Sequence, residues 1–273
     1  MAGDFEFDPV APYCGADVRG LDLAADLDGG TVDRMRRALA EYGVLFFRNQ
    51  TLTPGQLRVL GARFGTLHIH PTWPRPVAGY PELMEIYADA DSTRIAGEQW
   101  HSDVSCDKRP PLGSILYMVE TPPAGGDTLF AGMYAAYEGL SAPLRRFLAG
   151  LTAVHDGEQV YRRGYGQETE PGAVFPHAEH PVVRTHPLSG RKALFVNRTF
   201  TSHIAQLRRS ESDALLSMLY AHCEQPLFQC RFRWEEGSVA FWDNRCVQHH
   251  ALWDYYPHRR LAWRVTIEGE EPV

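Results

Sequence analysis

WDNRCVQHHALWDYYPHRRLAWRVT, residues 242–266, ends in a pattern that only a strand explains. Arg260, Ala262, Arg264 and Thr266 alternate with Leu261, Trp263, Val265 and Ile267. Successive strand side chains point to opposite faces, so Arg260 and Arg264 share one face, roughly 13 Å apart at ~3.3 Å per residue. An apolar set lies behind them. Two arginines on the inner side of a sheet are costly to bury unless they meet anions. The adjacent His249 and His250 precede them. A candidate metal ligand beside two inward arginines points to a metal site with anionic ligands next to it.

Upstream, the chain reads as many short strands. Phe5 to Leu23 alternates loosely and predicts one or two. Val44 to Phe47 is a short, fully apolar run, the signature of a buried strand. Further strands are expected around Leu83–Tyr87, Leu112–Val119, Asp127–Phe130, Val182–Val183, Ala193–Val196, Phe228–Trp234 and Val239–Trp242. Helices are expected where apolar residues recur at helical spacing. One starts at Thr31 as N-cap, carries Val32, Met35, Leu39 and Tyr42, and stops at Gly43. A second opens on the capping box Thr53-Pro54-Gly55-Gln56, with proline at the first helical position. Ser141 caps a third and Ser210 starts a fourth. The polar stretch 88–97 reads as a mobile loop, and 156–180 as a long loop over the site; such long loops are usually functional or disordered. Short strands with two or three surface helices predict a barrel or jelly roll rather than a parallel sheet. No linker divides the chain, so a single domain over 1–273 is expected.

The chain has 273 residues, 44% hydrophobic and 22% charged, with a formal net charge of −7. A length like this buries a substantial core without staples. The acidic balance gives no electrostatic footprint for nucleic acid. Five scattered cysteines without a CxxC pair read as reduced thiols of a cytoplasmic protein. The opening MAGDFEFDPV lacks a signal-peptide pattern, and no apolar run approaches ~18 residues, so no membrane span is expected.

His101-x-Asp103 places an imidazole and a carboxylate on one side of an extended segment. One distant histidine would complete a 2-His-1-carboxylate set that leaves positions on a ferrous ion open. Alone, such a pair is as readily a surface loop. A zinc hydrolase also uses two histidines and a carboxylate. A non-catalytic jelly-roll binding protein is the other rival. Hydrolysis needs no second inward arginine such as Arg260 and no Thr128 partner, and a binding protein has no reason to place His-x-Asp opposite a third histidine.

Six motifs taken together are specific. They are Phe64-Gly65-x-Leu67-His68-Ile69-His70-Pro71, Trp100-His101-Ser102-Asp103, Gly125-Gly126-Asp127-Thr128, Thr185-His186-Pro187 with Gly190, Phe195-Val196-Asn197, and Trp242-Asp243-Asn244-Arg245. With them the chain resembles the taurine dioxygenase family of iron(II)- and 2-oxoglutarate-dependent oxygenases, from Gly43 to the final strand. The resemblance implies a mainly β fold with flanking helices, a double-stranded β-helix (jelly roll, cupin-like). It implies His101, Asp103 and His249 as iron ligands, with His250 turned away. Arg260 and Thr128 would hold the distal carboxylate of 2-oxoglutarate, where a rigid bidentate fork is wanted. Fe(II), 2-oxoglutarate and O2 are the implied cofactor and co-substrates. The implied products are succinate, CO2 and a hydroxylated substrate. By the same analogy the protein is a homo-oligomer, a dimer or tetramer.

For the substrate, the resemblance assigns Arg264 and His70 to a small anionic head group and Phe200 to an apolar wall. Trp73 stands where taurine enzymes have tyrosine, and Gly97 where they have asparagine. Losing that amide removes a polar contact and opens space, which disfavours taurine itself. A sulfonate or alkyl sulfate ester with a larger body is expected, with release of sulfite or sulfate. An aryloxyalkanoate or other carboxylate is the alternative.

Overall fold

A computed structural model of the chain describes residues 5–70, 75–164 and 174–273. Its main element is an eight-stranded sheet. In spatial order the strands are Glu6–Pro9, Ala16–Arg19, Val44–Phe47, Val239–Asp243, Gly113–Glu120, Arg260–Ile267, Tyr80–Ala88 and Pro76–Val77. Three smaller sheets complete the β-structure. One joins Gln229–Phe232, Thr128–Gly132 and Val247–Ala251; another joins Thr201–Ile204, Thr152–Asp156 and His177–Pro181; Val183–Thr185 pairs with Lys192–Leu194.

Both faces of the large sheet are covered, and strand alternation sorts its side chains between two cores. Leu45, Phe47, Ile115, Val239, Phe241, Val265 and Ile267 face the helices Gly29–Tyr42 and Pro54–Ala62, meeting Val32, Met35, Leu39, Leu57 and Leu60. Val44, Phe46, Leu116, Met118, Ala240, Trp242 and Ala262 face the smaller sheets, meeting Phe130, Ala131, Phe232 and Val247. A strand buried on both sides has no reason to alternate with polar residues. That is why Val44–Phe47 is apolar throughout. Phe46 stacks on Phe232 at 4.1 Å and meets Phe130 edge-on at 5.5 Å, tying the two layers together. The fold is the jelly roll expected from the strand count.

Several local expectations need correction. The first helix is capped by Asp28, whose Oδ1 accepts from Thr31 N at 2.7 Å; Thr31 itself is buried inside the helix. An aspartate three residues ahead offers the same cap geometry, and Gly29-Gly30 carry no apolar signal to reveal the added turn. The chain has six α-helices among the described residues, two more than the four starts read from the sequence. Met133–Glu138 was missed because it is buried nearly all round and has no side-chain cap. The stretch 156–180 is not one loop. It holds a helix at Glu158–Gly164, fastened by the Arg162–Glu158 pair at 2.6 Å, and the strand His177–Pro181. Residues 165–173 of that stretch lie outside the described residues. Among the described residues no helix is long and apolar enough to cross a membrane.

Candidate active site

The inner face of the strand Arg260–Ile267 opens onto a cavity of about 330 Å³ between the sheets. Arg260 and Arg264 both line it, with the small Ala262 between them leaving room. Opposite stand His101, Asp103 and His249. His101 and His249 face each other through a two-bond antiparallel bridge: His249 N donates to His101 O at 2.8 Å, and His101 N to His249 O at 3.1 Å. This backbone clamp brings the two rings to 4.1 Å. The distant histidine and the His-x-Asp segment are therefore joined before any ligand is considered.

Three donor atoms converge. His101 Nε2 and His249 Nε2 lie 3.6 and 3.7 Å from Asp103 Oδ1. His101 Nδ1 donates to Gln99 O at 2.8 Å, so the neutral ring keeps its lone pair on Nε2. Asp103 Oδ2 is already engaged. It accepts from Ser114 Oγ at 2.8 Å, Trp242 Nε1 at 3.2 Å and Asn244 Nδ2 at 3.3 Å. That leaves Oδ1 as the carboxylate oxygen that would face a cation. Burial and then the neighbouring His101 push the His249 pKa well below its ordinary value. Burial alone would raise the Asp103 pKa, but Arg264, then His249 and His101, outweigh it and hold the carboxyl well below the usual range. Two imidazoles and a carboxylate on one side of a cavity fit ferrous iron with open positions. His249 Nδ1 is buried with no hydrogen-bond partner among the described residues. His250 points elsewhere, its ring 5.6 Å from Trp100.

Arg260 is only 5% exposed and makes no hydrogen bond or ion pair to any described residue. Its guanidinium lies 5.8 Å from the Trp234 ring. Thr128 Oγ1 accepts from Trp234 Nε1 at 2.9 Å, which turns its own O–H toward other acceptors. The Gly125-Gly126 turn before it has φ of +78° and +73°. A Cβ on Gly126 would stand 3.2 Å from Arg260 Cδ, so the pair serves both the turn and the close approach. Asp127 does not face the cavity and pairs with Arg231 at 2.6 Å.

Arg264 has a partner that the sequence does not foretell. Its Nη1 donates to Asp103 Oδ1 at 3.0 Å, the same oxygen that faces the two histidines. Among the described residues its Nε is buried without a partner, and its Nη2 meets only Met84 Sδ at 3.5 Å. His70 stands nearby, its pKa lowered to about 4 by burial and then by Arg264. At neutral pH it is therefore a neutral hydrogen-bonding group, and Arg264 alone of the two carries charge. Phe200 lines the cavity and is held by Asn197, whose Oδ1 accepts from Phe200 N at 2.9 Å. Gly97 lines it too, but the expected extra space is partly taken: its φ is +81°, and a Cβ there would stand 3.0 Å from His101 Cε1. Trp73 lies outside the described residues.

Sequence reasoning missed the apolar wall of Ile86, Ile95, Val104, Leu116 and Tyr161. These are ordinary strand and loop residues until the sheets face each other. Tyr161 comes from the unforeseen helix at Glu158–Gly164 and packs with Val104, Cys106 and Phe200. Val104, next to Asp103, has φ +44°, a strained conformation for a β-branched residue of the kind that clusters at functional sites.

A second buried group, His186, Asp243 and Cys246, has metal-like spacing. Its members are already satisfied. Asp243 accepts from Arg245 at 2.8 and 2.7 Å and from His186 Nε2 at 3.0 Å, while His186 Nδ1 accepts from Leu188 N and Ser189 N. The group pins the turn that leads into Val247–Ala251.

Comparison with known proteins agrees with this geometry. Residues 6–266 match the family model described as Taurine catabolism dioxygenase TauD, TfdA family. An alpha-ketoglutarate-dependent sulfate ester dioxygenase of Pseudomonas putida is 37% identical over 281 residues, covering 99% of this chain and 91% of that one. An alpha-ketoglutarate-dependent sulfonate dioxygenase of Saccharomyces cerevisiae is 36% identical over 285 residues, covering 99% of this chain and 68% of that one. The crystal structure of a taurine dioxygenase from Burkholderia xenovorans superposes with a TM-score of 0.84 at 38% identity, covering 98% and 92% of the two chains. The chain belongs to the TauD/TfdA family of 2-oxoglutarate-dependent dioxygenases.

Proposed function

We propose that this protein is an Fe(II)- and 2-oxoglutarate-dependent dioxygenase that oxidises a small sulfate ester or sulfonate, releasing sulfate or sulfite. The observation that carries this reading is Arg260. A charged guanidinium, 5% exposed and without an anionic partner among the described residues, is costly unless a ligand supplies the anion. The distal carboxylate of 2-oxoglutarate meets that need, with Thr128 donating its hydroxyl to the same group. His101 Nε2, Asp103 Oδ1 and His249 Nε2 are the proposed iron ligands. Bound iron and 2-oxoglutarate supply the oxidising power of O2, with succinate and CO2 as co-products.

The remaining groups select and orient the substrate. Arg264 and neutral His70 bind the sulfuryl oxygens, an arrangement suited to a small anion. Phe200, Ile86, Val104 and Leu116 bound the carbon body and exclude water. This apolar wall favours an alkyl chain over the short, cationic body of taurine. Hydroxylation at the carbon bearing the sulfate oxygen gives an adduct that collapses to an aldehyde and hydrogen sulfate. A sulfonate hydroxylated beside sulfur loses sulfite in the same way. One domain over residues 1–273 is proposed to carry the whole reaction. Cytoplasmic residence and assembly as a dimer or tetramer belong to the same proposal and rest on family analogy and the five unpaired thiols.

The test is oxygen consumption by anaerobically reconstituted enzyme with ferrous iron and 2-oxoglutarate, given taurine, longer alkylsulfonates, alkyl sulfates and aryloxyalkanoates in turn. Alkyl sulfates or longer sulfonates should accelerate uptake most. Acceleration by aryloxyalkanoates alone would assign the pocket to carboxylates. Absence of 2-oxoglutarate binding would overturn the assignment of Arg260.

A further inference from the structure

Asp103 Oδ1 is asked to serve two cations. It is the one carboxylate oxygen left for the iron, because Oδ2 already accepts from Ser114, Trp242 and Asn244. It also accepts from Arg264 Nη1 at 3.0 Å. The guanidinium draws electron density from that oxygen and places a positive charge beside the metal position. Both effects oppose metal binding. Yet the rest of the guanidinium is poorly engaged, with Nε unpartnered and Nη2 against a thioether. Arg264 is one of the residues that line the cavity.

We propose that Arg264 couples substrate binding to metal binding. An anionic head group that engages the guanidinium from the cavity neutralises it, frees Oδ1 to act as a stronger ligand, and tightens the metal site. By linkage the metal must tighten anion binding by the same factor. The proposal rests on the assignment of Asp103 as a metal ligand and Arg264 as the anion's partner, and adds that the two communicate. Arg264 then has a role in ordering the reaction: metal is held most firmly when substrate is present. The direction of the effect is distinctive. Were Arg264 merely a prop for Asp103, removing it would weaken the metal site. The three donors on Oδ2 hold the carboxylate without it, so its removal strengthens the site instead.

The experiment is calorimetric titration of Mn(II) into the metal-free, full-length protein, without 2-oxoglutarate, in the presence and absence of hexyl sulfate. In the wild type, hexyl sulfate should lower the Mn(II) Kd about tenfold, within the usual ~5- to 150-fold range of site coupling. Mn(II) should lower the hexyl sulfate Kd by the same factor, a check that needs no variant. Arg264→Gln should bind Mn(II) about tenfold more tightly than wild type without anion and show no response to hexyl sulfate. Arg264→Lys keeps the charge and should bind Mn(II) like the wild type. Weaker Mn(II) binding by Arg264→Gln, an anion response that persists in it, or no reciprocal effect in the wild type would each overturn the coupling and leave the metal site standing. Failure of the wild type to bind Mn(II) at all would instead overturn the metal site itself.

Discussion

Replacing Arg260 with methionine should move stability and co-substrate binding in opposite directions. Arg260 is 5% exposed, its Nε is buried without a partner, and burial lowers its pKa from the ordinary arginine value. In the ligand-free protein it is a desolvated cation with no hydrogen bond or ion pair to a described residue and only distant favourable charges and the Trp234 ring to offset it. Exchanging such a charge for an apolar side chain of similar length is worth ~1–4 kcal/mol of stability. At ~2–4 °C per kcal/mol for a chain of this size, the metal-free Arg260→Met protein should melt at least about 2 °C higher. The 2-oxoglutarate complex loses its bidentate partner. Truncating one side of a buried charge pair costs ~2–5 kcal/mol, which weakens binding roughly 30- to 4,000-fold. Calorimetric melting of the metal-free protein reads the first effect. Titration of 2-oxoglutarate into the Mn(II)-loaded protein under anaerobic conditions reads the second. A variant that melts lower and still binds 2-oxoglutarate with wild-type affinity would refute the reasoning. Arg260 would then be an ordinary structural arginine.

Three further outcomes are expected. Trp234→Phe removes the donor to Thr128 Oγ1 and frees that hydroxyl to turn away, so the KM for 2-oxoglutarate should rise roughly 2- to 10-fold with kcat little changed; steady-state kinetics decides it. Asn244→Ala removes the acceptor of Asp103 N and one donor to its Oδ2, so Mn(II) affinity should fall ~10- to 100-fold by titration. Burial and then His180 lower the His155 pKa to about 3, against ~6.5 in the unfolded chain. The unfolded state therefore binds one more proton between those values, and the contribution is fully present above pH ~6.5 and lost as pH falls toward about 3. Urea unfolding from pH 6 to 4 should show His155→Gln less acid-sensitive than wild type by up to about 1.4 kcal/mol per pH unit. Equal slopes would contradict a neutral, buried His155.

What the sequence disclosed follows from which interactions are local. The capping box at Thr53–Gln56 is written within four residues, and both of its bonds are present. Alternation in Arg260–Ile267 is a property of one strand, so the shared face of the two arginines was readable. The His101–His249 bridge joins segments far apart in the chain, and only family motifs made it legible. The Arg264–Asp103 bond was not readable at all, because it depends on two elements meeting across the cavity. The same holds for the apolar wall of Ile86, Val104 and Leu116. Trp242-Asp243-Asn244-Arg245 served as a marker without a mechanism. The structure divides it: Trp242 and Asn244 orient Asp103, while Asp243 and Arg245 pin the turn with His186. Composition misled at 158–164, where a polar run forms a helix because Tyr161 finds a buried place over the site.

The most direct test is to quantify sulfate and succinate from one incubation with an alkyl sulfate, ferrous iron, 2-oxoglutarate and O2. Equal molar amounts are expected, and neither product should appear when O2 or 2-oxoglutarate is omitted. Sulfate released without O2 would mean hydrolysis, and the oxygenase reading of this site would be wrong.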